Sequence, residues 1–458
     1  MESERSIMDN QLLYVYFVSL GCSKNFVDTE VMAASLLKKG IGITDDPAEA
    51  SIYAINTCAF IPPARQEAED NINEAITWKE EDTQNRKLIV TGCLTQWDKK
   101  GEYQKLFSQV DLWMGINELQ ELPDKIASLY SDSDSNRKKV FCDFNPDYLY
   151  NDKTPRLQLT PSHYAYIKIA EGCDNRCAYC SIPSIRGTLR SRKENSIIKE
   201  ANNLLSGGTK ELLVIAQDIT AFGRDKKYKD GNLASLITKL DEINGKHWIR
   251  LHYLHPETIS DEFISALKNS KHIIPYLDIP LQHISDRILK SMNRKVTANQ
   301  VRETIIKLRE AIPSLTFRTT FIVGFPGETE KEFNELCDFV SEYKFERLGV
   351  FPFFPEPNTK AFDMEGQIDN ETATKRADII QELHRENSIS FNKQLVGRKF
   401  DVIIDNIDNN YLTGRTYMDS PDIDNTVVIY SKKKLKIGNI VSTKITNYSD
   451  FDLEGKLV

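Results

Sequence analysis

Between residues 163 and 390 the chain repeats one pattern six times: a strand-like apolar run, a turn, then a helical stretch. The strand-like runs are YAYIKIAEG, ELLVIAQD, WIRLHYLHP, YLDIPLQH, TFRTTFIVGFPG and RLGVFPFFP, separated by helical segments such as NSIIKEANNLLSGG and ANQVRETIIKLREAI. Strands that alternate with helices must return in the same direction, which gives a parallel sheet. Six units exceed a small domain and fall short of a closed eight-stranded barrel. The pattern therefore predicts an open, partial (βα)6 barrel over 161–390, with functional groups at the carboxyl ends of its strands.

A shorter stretch of the same rhythm covers residues 10–130. LLYVYFVSLGC ends in Cys22, ASIYAINTC in Cys58 and KLIVTGC in Cys93, with helical stretches such as DTEVMAASLLKKG between. This reads as a βαβ parallel-sheet domain. Its three cysteines fall at strand carboxyl ends, the edge where open α/β sheets bind ligands. They are expected to converge, with Gly21, Asn56 and Gly92 beside them giving backbone access to a bound group. The alternative is three thiols packed separately. YSDSDSNRKK and FNPDYLYNDKTPRLQLTPSH read as a linker over 131–160. Residues 391–458 change character to short strands and turns and predict a small all-β module, a five-stranded barrel.

A chain of 458 residues fits two or three domains. No apolar run approaches the ~20 residues of a membrane helix, so no membrane association is expected. The polar start MESERSIMDNQ is not a secretory signal, and a cytoplasmic location is expected. The net charge of −8 argues against a nucleic-acid binder that uses its whole surface. In a reducing compartment the eight cysteines are buried hydrophobes, metal ligands or nucleophiles rather than a disulfide framework.

AEGCDNRCAYCSIP places Cys173, Cys177 and Cys180 at spacings of four and three, just after the first barrel strand. A closed structural zinc site wants four ligands, and no fourth cysteine or histidine lies close by. His163, ten residues upstream, reads as a surface or packing residue. Three thiolates suit a 4Fe–4S cube with one iron left open to a substrate or cofactor. Cys142 and Cys337 have no partner spacing and are expected to do nothing chemical.

CxxxCxxC after the first strand of such a barrel resembles the radical S-adenosylmethionine enzymes. The resemblance implies that the methionine end of S-adenosylmethionine chelates the open iron. An electron from the cluster then breaks the carbon–sulfur bond, and the resulting 5′-deoxyadenosyl radical removes a hydrogen atom from an unactivated carbon. Tyr179 matches the aromatic position common in this loop. Gly207 and Gly208, before the second strand, would make room for the methionine end or would form a plain turn. FIVGFPGETE, from Val323 to Glu328, resembles the late-strand motif near adenine and is otherwise a tight turn. Gln217, Asp218, Gln282 and His283 end barrel strands and are candidate contacts. Arg186, Arg190 and Arg192 would bind a carboxylate or form a solvated basic strip.

The N-terminal trio, the radical loop and the C-terminal β module together resemble the methylthiotransferases over nearly the whole chain. That family carries an N-terminal cluster domain, a radical barrel and a TRAM module, and replaces C–H by C–S–CH3. The resemblance implies two 4Fe–4S clusters, one on Cys173, Cys177 and Cys180, the other on Cys22, Cys58 and Cys93, facing one another across a domain boundary. One S-adenosylmethionine gives the methyl and another the radical. VSLGCSKNFVDTE, INTCAFI, AEGCDNRCAYCSIPSIRG, AQDITAFGRD and GRTYMDSPDIDNTV resemble the branch acting on ribosomal protein S twelve, which implies the β-carbon of an aspartate as target. Asn425 departs from the glycine expected there. The implied partners are that protein, within the small ribosomal subunit or outside it, a reducing electron donor, and RNA through the C-terminal module. An acidic enzyme would meet a basic ribosomal protein favourably. Two other readings remain: a tRNA methylthiotransferase acting beside the anticodon, and a non-catalytic iron–sulfur RNA-binding protein.

Overall fold

The computed structural model describes residues 12–82, 86–131, 139–225, 231–431 and 433–458. The polar start, most of YSDSDSNRKK and one lysine of SKKKLK lie outside these residues. The described residues form two compact units. One runs to Leu159 and includes Ala170–Asn175 and Cys180–Arg192; the other comprises Thr160–Ile169, Arg176–Tyr179 and Lys193–Val458.

The first unit is built on a six-stranded parallel sheet. Its spatial order is Gly42–Thr44, Tyr14–Ser19, Ile52–Thr57, Lys87–Gly92, Leu112–Met114 and Val140–Phe141. All six residues of Ile52–Thr57 are buried, as expected of a central parallel strand covered on both faces. One face packs Tyr53, Ile55, Leu88 and Val90 against helix Pro62–Glu80 through Ala68, Ile72 and Ala75. The other packs Val15, Ala54 and Ile89 with Met32 and Leu36 of helix Ser23–Lys38. The stretch read as a linker supplies the sixth strand, and the Leu157 N–H donates to the Glu30 carbonyl at 3.0 Å. Its composition hid this because each contribution is only a few residues long.

The second unit holds six parallel strands in the order Arg347–Pro352, Thr316–Val323, Ile273–Asp278, Trp248–Leu251, Glu211–Ile215 and Tyr164–Lys168. They form the expected open partial barrel. The helices between them start on strong local signals. Thr297 with Gln300 and Thr329 with Glu332 form reciprocal capping boxes. Residues Lys399–Ile407, Leu412–Arg415, Val427–Ile429, Leu453–Leu457 and Ile440–Tyr448 close a five-stranded barrel around Val402, Ile404, Val427 and Ile445.

A loop of this small barrel, residues 415–424, packs into the amino-terminal half of the large one. Arg415 donates to Glu211 at 2.7 Å, and Glu211 also accepts from Arg250 at 2.7 Å. Asp419 accepts from Arg347 at 2.9 Å, Asp424 from Tyr276 at 2.7 Å and Asp422 from Tyr164 at 2.8 Å. His163, read as a surface or packing residue, is buried with its Nε2 2.7 Å from Asp405. Asn425 donates to the Phe451 carbonyl at 2.6 Å, so the side chain missing from a glycine is used here.

Two buried histidines give the fold an acid limit. Burial, with His272 stacked on its ring at 4.1 Å, holds His247 down at about 4. Burial, with the charge of Arg347, holds His384 down at about 4. Both stay neutral when folded and take up protons when unfolded below about 6.5. The unfolded state then binds more protons, so stability falls as pH falls from about 6.5 towards about 4. The loss is up to about 1.4 kcal/mol per unit for each histidine. The Tm is expected to decline through this window, and to decline less in His384→Phe.

Candidate active site

The six proposed cluster cysteines fall into two sets, at the carboxyl ends of the two parallel sheets. In the first unit Cys22, Cys58 and Cys93 follow Tyr14–Ser19, Ile52–Thr57 and Lys87–Gly92, three strands that are neighbours in the sheet. The order reverses between the first two of these strands, and such a switch point is where open α/β sheets hold ligands. The thiols lie within electrostatic reach of one another. Burial pushes Cys93 up to about 12, with Cys58 and Cys22 adding to the rise and Arg186 opposing it. Burial and Cys22 raise Cys58 against the pull of the Phe60 N–H and Arg186. Desolvation also raises Cys22, but Lys24, Arg186 and the N–H groups of Asn25 and Lys24 outweigh it and leave this thiol below its ordinary value.

Backbone turns bring the sulfurs together. Gly21 has φ +82°, and a Cβ there would stand 2.9 Å from the Cys58 sulfur. Gly92 has φ +92°, and a Cβ would meet the Asn56 side-chain oxygen at 2.3 Å. Only glycine fits both positions. The Asn25 amide nitrogen reaches the Leu20, Asn56 and Thr57 carbonyls at 2.8, 3.2 and 3.3 Å and so ties two of the strand ends. Among the described residues no three His, Cys, Asp or Glu side chains close around a single metal ion. A four-iron cube is larger than one ion, and its thiolates stand further apart. Three cysteines at adjacent strand ends beside a buried cation fit such a cluster.

Cys173, Cys177 and Cys180 lie in the loop after Tyr164–Lys168 and are each partly buried. In the first unit the Cys173 N–H donates to the Gly187 carbonyl at 3.1 Å. In the second unit the loop is held on both sides of Ala178: its N–H donates to the Met292 carbonyl at 2.9 Å and its carbonyl accepts from Ala361 at 2.8 Å. Asn293, in the left-handed region at φ +58°, donates to the Arg176 carbonyl at 2.6 Å. Tyr179 packs with Ala178, Met292 and Phe325. Arg294 is buried beside Cys177 and Tyr179, and one of its nitrogens is 2.5 Å from His255 Nε2. The sequence reading missed SMNR, whose signal was an asparagine and an arginine following a short helix.

The other candidates divide by position. Gly207 and Gly208 lie at the amino end of Glu211–Ile215, away from the carboxyl edge of the sheet. Gly207 ends helix Glu194–Ser206 with its N–H on Asn203, and Gly208 turns at φ +108°. The pair ends the helix and turns the chain into the strand. Glu328 is 4% exposed and its carboxylate is already engaged: it accepts from the Gly324 N–H at 2.9 Å and from Arg376 at 2.8 Å. It braces the glycine turn instead of offering itself to a ligand. Val323 ends its strand, with its carbonyl accepting from Phe353. His283 accepts from the Ser285 N–H at 3.0 Å, and Asp218 caps a short turn by accepting from the Thr220 N–H at 3.0 Å. Gln217, two residues past its strand, and Gln282, at φ +72°, remain at the carboxyl edge. Glu328→Ala would leave the Gly324 and Phe325 amides without their acceptor and Arg376 with Glu330 as its remaining carboxylate, at a cost of about 1–3 kcal/mol. A lower Tm is expected, with Glu328→Gln less affected.

Arg186, Arg190 and Arg192 do not form a solvated strip. Arg192 is buried with its guanidinium 4.1 Å from the Tyr150 ring, and Arg190 donates to the Thr188 carbonyl at 2.7 Å. Arg186 is 2% exposed and reaches Asp28 at 2.6 Å and the Cys93 sulfur at 3.2 Å. Cys142 and Cys337 stand apart, their thiols pushed up by burial to about 12 and about 11.

An open parallel barrel with CxxxCxxC after its first strand defines a protein of the radical S-adenosylmethionine class, and the Radical SAM superfamily model matches residues 167–340. The Uncharacterized protein family UPF0004 matches 14–115 and the TRAM domain 396–458. The chain is 42% identical to the ribosomal protein uS12 methylthiotransferase RimO of Caldicellulosiruptor saccharolyticus, covering 98% of this chain and 100% of that one. It is 41% identical to the protein of the same name from Bdellovibrio bacteriovorus, over 97% of each. The chain belongs to the ribosomal protein uS12 methylthiotransferase family. Among solved structures it resembles the radical S-adenosylmethionine methyltransferase TsrM from Kitasatospora setae, with TM-score 0.55 and 14% identity over 87% of this chain and 79% of that one. It also resembles the cobalamin-dependent radical enzyme OxsB, with TM-score 0.52 and 13% identity over 81% and 56%. These two likenesses are of fold alone. No helix among the described residues is long and apolar enough to cross a membrane.

Proposed function

We propose that this chain methylthiolates ribosomal protein uS12, replacing a C–H bond on the β-carbon of one aspartate by C–S–CH3. The observation that carries the reading is full-length similarity to proteins of that name, over a chain that keeps a cysteine trio at each sheet edge. Cys173, Cys177 and Cys180 would hold one 4Fe–4S cluster and Cys22, Cys58 and Cys93 a second. When bound, the clusters and S-adenosylmethionine supply the electron, the hydrogen-abstracting group, the sulfur and the methyl.

The chain's own residues position these groups. Met292, Asn293 and Ala361 hold the backbone of residues 176–178, so the loop presents Cys177 without having to order itself first. Arg294 places a buried positive charge beside Cys177. Gln217, Tyr179 and the backbone at Val323 are the proposed contacts to S-adenosylmethionine. Asn25 and the turns at Gly21 and Gly92 fix the other trio. The uS12 partner within the small subunit, RNA contact through the C-terminal barrel, a reducing donor protein and a cytoplasmic setting belong to the same proposal. Incubation of anaerobically reconstituted enzyme with uS12 and, separately, with tRNA tests it. A mass gain of one CH2S unit on uS12 is expected, and a gain on tRNA alone would reject the reading.

A further inference from the structure

Arg186 stands six residues beyond Cys180, on a five-residue helix whose Ile185 is buried in the same core as Cys93. Its guanidinium is wholly enclosed and has four partners. Nη1 donates to Asp28 at 2.6 Å and lies 3.5 Å from Glu171; Nη2 donates to the Asn25 side-chain oxygen at 2.9 Å and to the Cys93 sulfur at 3.2 Å. Asn25 in turn holds the carbonyls of Leu20, Asn56 and Thr57, the residues just before Cys22 and Cys58. One hydrogen-bonded group therefore touches the strand ends that carry all three N-terminal cysteines. It is anchored to the segment that leaves the radical loop.

A buried ion pair alone would not need this arrangement. Asp28 could neutralise Arg186 anywhere on the helix Ser23–Lys38, and burying such a pair gains little stability. Here one nitrogen is spent on a thiol sulfur. Hydrogen bonds to cysteine sulfur and nearby net charge are two of the levers that set an iron–sulfur potential. A donor and a positive charge favour the more reduced, more negative cluster.

We propose that Arg186 is a positioning residue that sets the reduction potential of the N-terminal cluster, with Asp28 and Asn25 fixing the orientation of its guanidinium. The inference rests on the reading that Cys22, Cys58 and Cys93 hold a cluster. It assigns to a residue of the radical-loop segment control over the other trio's redox state.

The test uses the full-length chain with Cys173, Cys177 and Cys180 all replaced by alanine, so that only the N-terminal trio can hold iron. Iron and sulfide are counted after anaerobic reconstitution, and the midpoint is read by potentiometric titration followed by electron paramagnetic resonance. About four irons per chain are expected. Arg186→Gln should lower the midpoint, Asp28→Asn should raise it, and Arg186→Lys should recover part of the fall. An Arg186→Gln chain that keeps its irons with an unchanged midpoint overturns the proposal. If Arg186→Gln fails to retain iron, Asp28→Asn decides, and an unmoved midpoint there overturns it equally. A parent chain that takes up no iron would instead overturn the cluster reading, and this inference with it.

Discussion

Alanine at Cys173, Cys177 or Cys180 is expected to abolish both formation of 5′-deoxyadenosine and formation of methylthiolated product. Each of the three cysteines is one of only three protein ligands proposed for that cluster, and a position open to S-adenosylmethionine leaves none in reserve. The loss should be complete for every one of the three. The fold should survive, because the loop backbone is held through Ala178 and Asn293 rather than through the cysteine side chains. Iron should fall from about eight to about four per chain. A single variant that still cleaves S-adenosylmethionine at the parent rate would remove that cysteine from the ligand set.

Alanine at Cys22, Cys58 or Cys93 should separate the two readouts: no methylthiolated product, with 5′-deoxyadenosine formation largely retained. The physical basis is that these residues lie at the edge of a separate sheet, outside the barrel whose strand ends are proposed to bind S-adenosylmethionine. Assaying 5′-deoxyadenosine and product in the same reaction gives the ratio directly. If cleavage disappears along with product, the division of labour between the trios is wrong. Cys93 is the most enclosed of the three, at 6% exposure. Cys93→Ser, which keeps a donor and acceptor near Arg186, is therefore the better control for packing.

The parallel sheets, and the cysteines at their strand ends, were legible because their signals are local. A strand run ending in cysteine carries its own direction, and CxxxCxxC carries its own spacing. The five-stranded barrel was legible for the same reason. What the sequence hid were groups whose purpose depends on a distant partner. Arg186 reads as one of three arginines in a basic strip until Asp28, more than a hundred residues earlier, is seen at 2.6 Å. Glu328 reads as a ligand at the end of a glycine motif until Arg376, on a later helix, occupies its oxygen. Gly207 and Gly208, before the second strand, read equally as room for the methionine end or as a plain turn. That Gly207 closes the helix Glu194–Ser206 is seen only once that helix is built.

The acidic loop of residues 415–424 has a consequence for how the molecule is made. Within the large barrel Arg250 already pairs with Glu211 and Arg318 with Asp278, but the buried Arg347 pairs with Asp419, which is translated after the barrel. A nascent barrel emerging first holds the Arg347 guanidinium without that counterion. Neutralisation of that guanidinium therefore waits for the loop of the small barrel to be made. A chain stopped before Asp419 would then leave Arg347 buried without its carboxylate, a cost that falls on the large barrel and not only on the small one.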